Sequence, residues 1–163
     1  QDYYKIIYNK TSSLFVAAAT SGAMSVGASE EKMKAVRTYA KCLGQAFQIK
    51  DDIFDYLDNQ QTGKPAGLDL KERKITLPLL GALKNVSEER AKEVRRMVCN
   101  IDDHPDYQKD IVSFVKSEGG MEYAKMRLHE FVDNAKIALR PLGDVREVGM
   151  LSDIAEYTAV RKS

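Results

Sequence analysis

Three aspartates, Asp51, Asp52 and Asp55, lie close together in the stretch "FQIKDDIFDYLD" of the 163-residue sequence. Neighbouring carboxylates on a helix repel one another, so we expect a positive group to sit among them. Carboxylate oxygens are the ligands that Mg²⁺ prefers, and Mg²⁺ in proteins commonly bridges carboxylates to phosphates. The cluster therefore predicts a Mg²⁺ site for a phosphorylated ligand.

Basic residues follow the acids within one short segment. They are Lys64, Lys71, Arg73 and Lys74. Lysine and arginine are the usual donors to phosphate oxygens. Gly63 and Gly67 would let this segment approach a ligand closely, because glycine has no Cβ. Acids followed by cations indicate a polyanionic ligand.

The alternative interpretation is a solvated acidic helix face that binds nothing. At about 100° per residue, the three aspartates fall with Gln48 on the arc next to the apolar stripe around Phe47. A solvated face would lie on the far side from that stripe. We therefore expect the acids to point into a cleft at the edge of the core.

Helices must position these residues, since apolar side chains recur with a period near 3.6 almost throughout and no stretch alternates as a β-strand does. The sequence predicts an all-α fold. Its predicted helices cover about 2–22, 29–58, 77–84, 87–99, 105–117, 121–139 and 144–161. Ser29 is the predicted N-cap of the second helix, which bears the acids.

The composition excludes several classes of function. Lys and Arg number 25 against 24 Asp and Glu, a formal net charge of +1 without a basic block, which argues against a nucleic-acid partner. No run of about 18 apolar residues is present, so we predict no transmembrane segment. Cys42 and Cys99 are predicted to be buried free thiols, which favours a reducing compartment and a cytoplasmic location.

Four stretches carry a family resemblance. "FQIKDDIFDYLD" and "TGKPAGLDLKERKITLPLL" are similar to the second aspartate-rich region of the trans-isoprenyl diphosphate synthases, also called polyprenyl synthetases. Upstream, "IIYNKTSSLF" resembles their Lys–Thr motif, and "GGMEYAKMRLHEF" resembles a C-terminal helix of the family. The resemblance implies an isoprenoid-synthase-type helical bundle, with residues 1–163 forming a single all-α unit that is the C-terminal half of a polyprenyl synthetase domain.

The resemblance also implies an activity, the Mg²⁺-dependent head-to-tail condensation of isopentenyl diphosphate with an allylic diphosphate by a prenyltransferase. It makes Asp51 and Asp55 metal ligands, with Asp52 as a ligand or a supporting acid. The residues implied to bind the allylic diphosphate or to line the reacting centre are Lys10, Thr11, Phe47, Gln48, Lys64 and Lys74. Of these, Lys10, Lys64 and Lys74 would hold the diphosphate, and Phe47 would pack beside the prenyl chain.

The family uses a second acid cluster, upstream of the Lys–Thr motif. Only nine residues precede Lys10 here, so we expect the chain to be part of a longer protein and to be inactive alone. The resemblance implies a homodimer for the full-length protein. A non-catalytic helical subunit that pairs with a prenyl synthase is the alternative function.

A second acidic string of the same spacing contains Asp102, Asp103 and Asp106. Pro105 interrupts the helical pattern, so these acids cannot share one regular helical face. Asp103 is the predicted N-cap of the next helix. We therefore expect this string to bind no substrate metal.

Overall fold

The computed structural model describes residues 2–57 and 67–161. Within those ranges the chain is helical and contains no β-strand, so the predicted all-α fold class is confirmed. Gly63, Lys64 and Pro65, and the predicted end of the second helix near residue 58, lie outside the described residues.

The described helices follow the predicted order. They are α1 (Asp2–Ile7), a π-helical turn π1 (Tyr8–Ser12), α2 (Ser13–Ser25), α3 (Glu30–Phe54), α4 (Leu68–Lys71), α5 (Leu77–Lys84), α6 (Glu88–Cys99), α7 (Tyr107–Ser117), α8 (Gly120–Ala138), a 3₁₀ turn (Arg140–Leu142) and α9 (Arg146–Val160). The short helix α4 was not expected from the sequence.

Of the two N-caps predicted from the sequence, one is confirmed and one is wrong. Ser29 Oγ accepts from the Lys32 amide at 3.4 Å, as its capping role requires. The predicted N-cap at Asp103 is wrong, because residues 101–106 form turns and α7 begins only at Tyr107. The Asp103 amide instead donates to the carbonyl of Asn100 at 3.2 Å.

The helix predicted over residues 2–22 contains a π-helical turn that the sequence did not reveal. The turn π1 separates α1 from α2 and contains Lys10 and Thr11. Its wider winding places an extra residue in the helix, a feature that recurs at functional sites.

The chain divides into two compact units. The first runs up to Lys50 and resumes from Arg127 to Arg161, and the second covers Asp51–Met126. The expectation of a single domain stays a prediction.

The first unit is built around α3, whose residues Tyr39, Ala46 and Ile49 are buried. The buried side is centred near Ala46, while Phe47, expected at the centre of the stripe, is half-buried. Polar contacts join α9 to α3: the Tyr39 hydroxyl donates to Leu151 O at 2.8 Å. The C-terminal helix is therefore held along α3.

The second unit packs α7 against both α5 and α6. Ile111 and Val115 of α7 are 0% exposed. At Gly120 an added Cβ would lie 2.3 Å from the carbonyl oxygen of Pro78, so α8 can begin only with a residue that lacks a side chain. This packing fixes the position of α5, which follows the acids in the sequence.

Two further expectations are decided by the structure. Cys42 and Cys99 are both free thiols, but only Cys42 is buried, so the expected burial of Cys99 is wrong. Across the described residues, no helix combines the length and apolar character needed to cross a membrane.

A close contact at Gly44 brings π1 against α3. A Cβ at this position would lie 2.6 Å from Ser12 Cα and 2.9 Å from Ser12 Cβ. Such distances are shorter than real carbon contacts, so the two helical segments can approach this closely only because residue 44 has no side chain.

Replacing Gly44 by Ala is expected to lower the free energy of unfolding by about 1–3 kcal/mol, the usual cost of overpacking a filled contact. The matched control is Gly22→Ala, since among the described residues nothing lies within 4 Å of a Cβ at Gly22. That change should stabilise the protein by roughly 0.5–1 kcal/mol through helix propensity. Urea unfolding followed by circular dichroism measures both, and equal effects would contradict the contact.

Candidate active site

The predicted acids lie at the C-terminal end of α3. Asp51 and Asp55 are half-buried, and Asp52 is 3% exposed. The Asp55 amide still donates to Asp51 O at 3.3 Å, so the helical turn continues through the cluster although α3 ends at Phe54. Asp51 and Asp55 are four residues apart, so they lie on the same side of this helical turn.

The carboxylate of Asp55 is held by backbone amides. Its Oδ1 accepts from Leu68 N at 2.8 Å, and its two oxygens lie 3.3 and 3.2 Å from Asp69 N. The Asp55 carbonyl accepts from Gly67 N at 2.6 Å, and Gly67 has a φ of 78°, a value that favours glycine. The end of α3 is thus tied to the start of α4.

Electrostatics at Asp55 fit a cation site. Burial raises the pKa of the Asp55 carboxyl above its ordinary value, the Asp69 amide opposes this shift, and the nearby charges of Asp69 and Asp52 raise the pKa further. A hard cation would offset those negative charges, and carboxylate oxygens suit Mg²⁺. Over the described ranges, no three His, Cys, Asp or Glu side chains converge to hold a metal. Metal binding at these acids therefore stays a prediction.

Asp52 is directed at the protein interior. Its Oδ2 lies 3.5 Å from Leu77 N at the start of α5. Four residues later, Tyr56 is 0% exposed and its hydroxyl lies 3.1 Å from Thr76 Oγ1. Burial raises the pKa of Tyr56, so this phenol is neutral. Asp52 therefore helps to hold the C-terminal end of α3 against the start of α5.

Lys74, predicted to bind diphosphate, is paired with two carboxylates. Its Nζ lies 3.0 Å from Asp69 Oδ1 and also contacts Glu72. Hydrogen bonds that Lys74 donates to Glu72 and, with a smaller effect, to Asp69 raise the pKa of Lys74, so its ammonium is charged. Lys64, the other lysine predicted after the acids, lies outside the described residues.

The residues of the predicted Lys–Thr motif lie in π1. Lys10 is exposed and Thr11 is half-buried. The Thr11 hydroxyl donates to Gln48 Oε1 at 2.8 Å, and Gln48 is 6% exposed. The contact at Gly44 allows this bond, because it brings π1 within reach of α3. Two residues predicted from separate motifs are thereby joined.

Phe47 contacts two residues within the first unit. The centroid of its ring is 5.8 Å from that of Phe15, and the guanidinium of Arg161 lies over the Phe47 ring, 4.3 Å from its centroid. Arg161 Nη2 also lies 3.4 Å from Phe47 O. These contacts restrict the orientation of the ring, as a residue that packs beside a substrate would require.

Two residues near the predicted site were missed. Asp69 contacts both Asp55 and Lys74, and its only signal was an acid placed between Gly67 and the basic residues. Arg161 contacts Phe47, although the two residues are 114 positions apart in the sequence. No local pattern could have predicted that pairing, because it depends on how α9 packs along α3.

The second acidic string lies in the turns before α7. Asp102, Asp103 and Asp106 are all exposed there. Asp102 forms an ion pair with Arg73. The expectation that the string binds no substrate metal stays a prediction.

Asp55→Ala removes the oxygen atoms that accept from the Leu68 and Asp69 amides. A lost hydrogen bond to a charged acceptor costs about 1.5 kcal/mol, so exchange of these two amides with solvent should accelerate about tenfold. Nuclear magnetic resonance in heavy water measures the rates. Asp51→Ala is the control, because it keeps the acceptor, and an equal acceleration in that variant would contradict the anchoring role of Asp55.

The polyprenyl synthetase family matches residues 1–115 of this chain. Octaprenyl diphosphate synthase of Escherichia coli (strain K12) is 35% identical over 145 residues, which cover 88% of this chain and 45% of that protein. The chain spans about half the length of the curated relatives it matches.

Solved structures agree with this match. Decaprenyl diphosphate synthase from Rhodobacter capsulatus superposes with a TM-score of 0.88 at 31% identity, covering 99% of this chain and 50% of that one. Polyprenyl synthase from Caulobacter crescentus CB15, complexed with calcium and isoprenyl diphosphate, gives 0.87 at 32% identity, with coverage of 99% and 49%. The acids, the Lys–Thr segment and the helical fold thus occur together in a chain that belongs to the polyprenyl synthetase family.

Proposed function

We propose that this chain supplies one half of a prenyltransferase active site, which condenses isopentenyl diphosphate with an allylic diphosphate head to tail. The observation that carries the proposal is the amide-anchored carboxylate of Asp55, held in the same helical turn as Asp51. Family membership supports the reaction class, since the relatives are named prenyl diphosphate synthases. Mg²⁺ as the metal, a homodimeric full-length protein and a cytoplasmic location are parts of the same proposal.

Each predicted residue has a task in this proposal. Asp51 and Asp55 would hold Mg²⁺, which when bound neutralises the negative charge of the departing diphosphate. Lys10 and Lys74, with Lys64, would donate to diphosphate oxygens. The allylic carbon–oxygen bond breaks as the diphosphate leaves with the electron pair.

The remaining residues would face the carbocation that results. The double bond of isopentenyl diphosphate attacks this cation, and loss of a proton leaves a chain one isoprene unit longer. Thr11 fixes the side-chain amide of Gln48, so its dipole is oriented before the reaction, which lowers the reorganisation needed when positive charge develops. Phe47 would pack beside the prenyl chain.

The alternative, a non-catalytic helical subunit, is not favoured. The relatives matched along this chain are named as synthases. A purely structural subunit would also have no need for clustered carboxylates at the edge of a buried helix, since their repulsion lowers stability.

Binding of an unreactive allylic diphosphate analogue tests the acids directly. By titration calorimetry the chain should bind the analogue more tightly with Mg²⁺ than without it. Asp51→Asn should weaken the Mg²⁺-dependent binding by at least tenfold, about 1.4 kcal/mol. Asp51 is the better test position, because Asp55 also anchors α4. The control is Asp102→Asn, and equal affinities with and without Mg²⁺, or no binding, would contradict the proposal.

Lys10 gives a second test in the first unit. Lys10→Gln should weaken binding of the same analogue about tenfold, because a charge-assisted hydrogen bond to a phosphate oxygen contributes roughly 1.5–3 kcal/mol. Lys5→Gln is the matched control, since Lys5 is also exposed and lies on α1. Equal losses in the two variants would show a general charge effect and would contradict a specific role for Lys10.

A further inference from the structure

We propose that Asp69 is a positioning residue, which holds the ammonium of Lys74 beside the acid cluster so that the acids and the lysine act on one diphosphate group. This inference rests on the proposed function, and it assigns a role to a residue that the sequence patterns did not single out. Asp69 would act through Lys74 and would not itself bind the metal.

Asp69 is bonded to both parts of the site through three of its own groups. Its amide lies 3.2 Å from Asp55 Oδ2. Its Oδ1 accepts from Lys74 Nζ at 3.0 Å, and its carbonyl accepts from the Lys74 amide at 2.9 Å. One residue therefore fixes the distance between the acid cluster and the lysine.

The backbone between the two residues is bent to make this contact. Arg73 has a φ of 56°, in the left-handed region that a non-glycine residue adopts only where the surrounding structure determines it. The Arg73 amide donates to Leu70 O at 2.9 Å. The chain thus turns back on α4 and returns Lys74 to Asp69.

Glu72 also pairs with Lys74, but from a more solvated position. The side chain of Glu72 is 64% exposed, whereas that of Asp69 is 26% exposed. Water screens an exposed pair strongly and a partly buried pair less. Asp69 is the less solvated of the two partners, and Glu72, whose contact with Lys74 is more exposed, serves as a matched control.

The pairing leaves Lys74 able to bind an anion. An ammonium group has three N–H donors, of which Asp69 and Glu72 engage two. The third is engaged by none of the residues described in the structure and could donate to a phosphate oxygen. The bond to Asp69, the less solvated of the two partners, restricts where the third donor can point.

The experiment is a double-variant cycle on the 163-residue chain, with Asp69→Asn, Lys74→Met and both together. Calorimetry measures binding of Mg²⁺ alone, and of inorganic pyrophosphate at saturating Mg²⁺. Asp69→Asn keeps the backbone amide that anchors Asp55 but removes a nearby negative charge, so Mg²⁺ affinity should fall by about threefold at most, while pyrophosphate affinity falls about tenfold. The double variant should bind pyrophosphate no more weakly than Lys74→Met.

Glu72→Gln should lower pyrophosphate affinity by no more than about twofold. A loss of Mg²⁺ affinity in Asp69→Asn as large as the loss of pyrophosphate affinity would overturn the inference, because Asp69 would then belong to the metal site. Additive losses in the cycle, or an equal loss in Glu72→Gln, would also overturn it.

Thermal melting of the same four chains keeps the two proposals separable. If Asp69 and Lys74 are coupled, the fall in Tm of the double variant should be smaller than the sum of the falls in the single variants. If the falls in Tm of the single variants add up to the fall in the double variant, the inference is overturned, even if pyrophosphate binds. If the falls in Tm are not additive but the unaltered chain binds no pyrophosphate, the proposed function is contradicted. The role of Asp69, which rests on that function, is then contradicted as well.

Discussion

The anchoring of one carboxylate organises the candidate site. Asp55 follows the last residue of α3, and its oxygens accept from the Leu68 and Asp69 amides. That contact joins the end of α3 to α4, and through Asp69 it also sets the position of Lys74. A carboxylate in this position is half-buried and close to other negative charges, an arrangement whose electrostatic cost a bound cation would offset.

The other candidate residues depend on a second constraint, the absence of a side chain at Gly44. This glycine lets π1 lie against α3, and the resulting approach allows Thr11 to donate to Gln48. The orientation of the Gln48 amide therefore depends on how closely π1 is packed against α3.

The sequence predicted the fold class, most helix positions and the helix that bears the acids, because those features follow from local periodicity and residue type. It could not predict π1, since the extra residue in that turn is stabilised by packing against Gly44. Nor could it predict the Arg161–Phe47 contact, which joins residues 114 positions apart. The buried side of α3 was misplaced towards Phe47, because apolar periodicity alone does not show that Gln48 and Asp52 are also covered.

The central claim is that the acids at the end of α3 bind a divalent cation. Mn²⁺ accepts the same carboxylate and water ligands as Mg²⁺ and broadens nearby amide signals in nuclear magnetic resonance spectra. Substoichiometric Mn²⁺ should broaden the amides of 51–56 and 68–70 first, and excess Mg²⁺ should restore them. Selective broadening at the exposed acids 102–106 instead, with the signals at the end of α3 unaffected, would contradict the account.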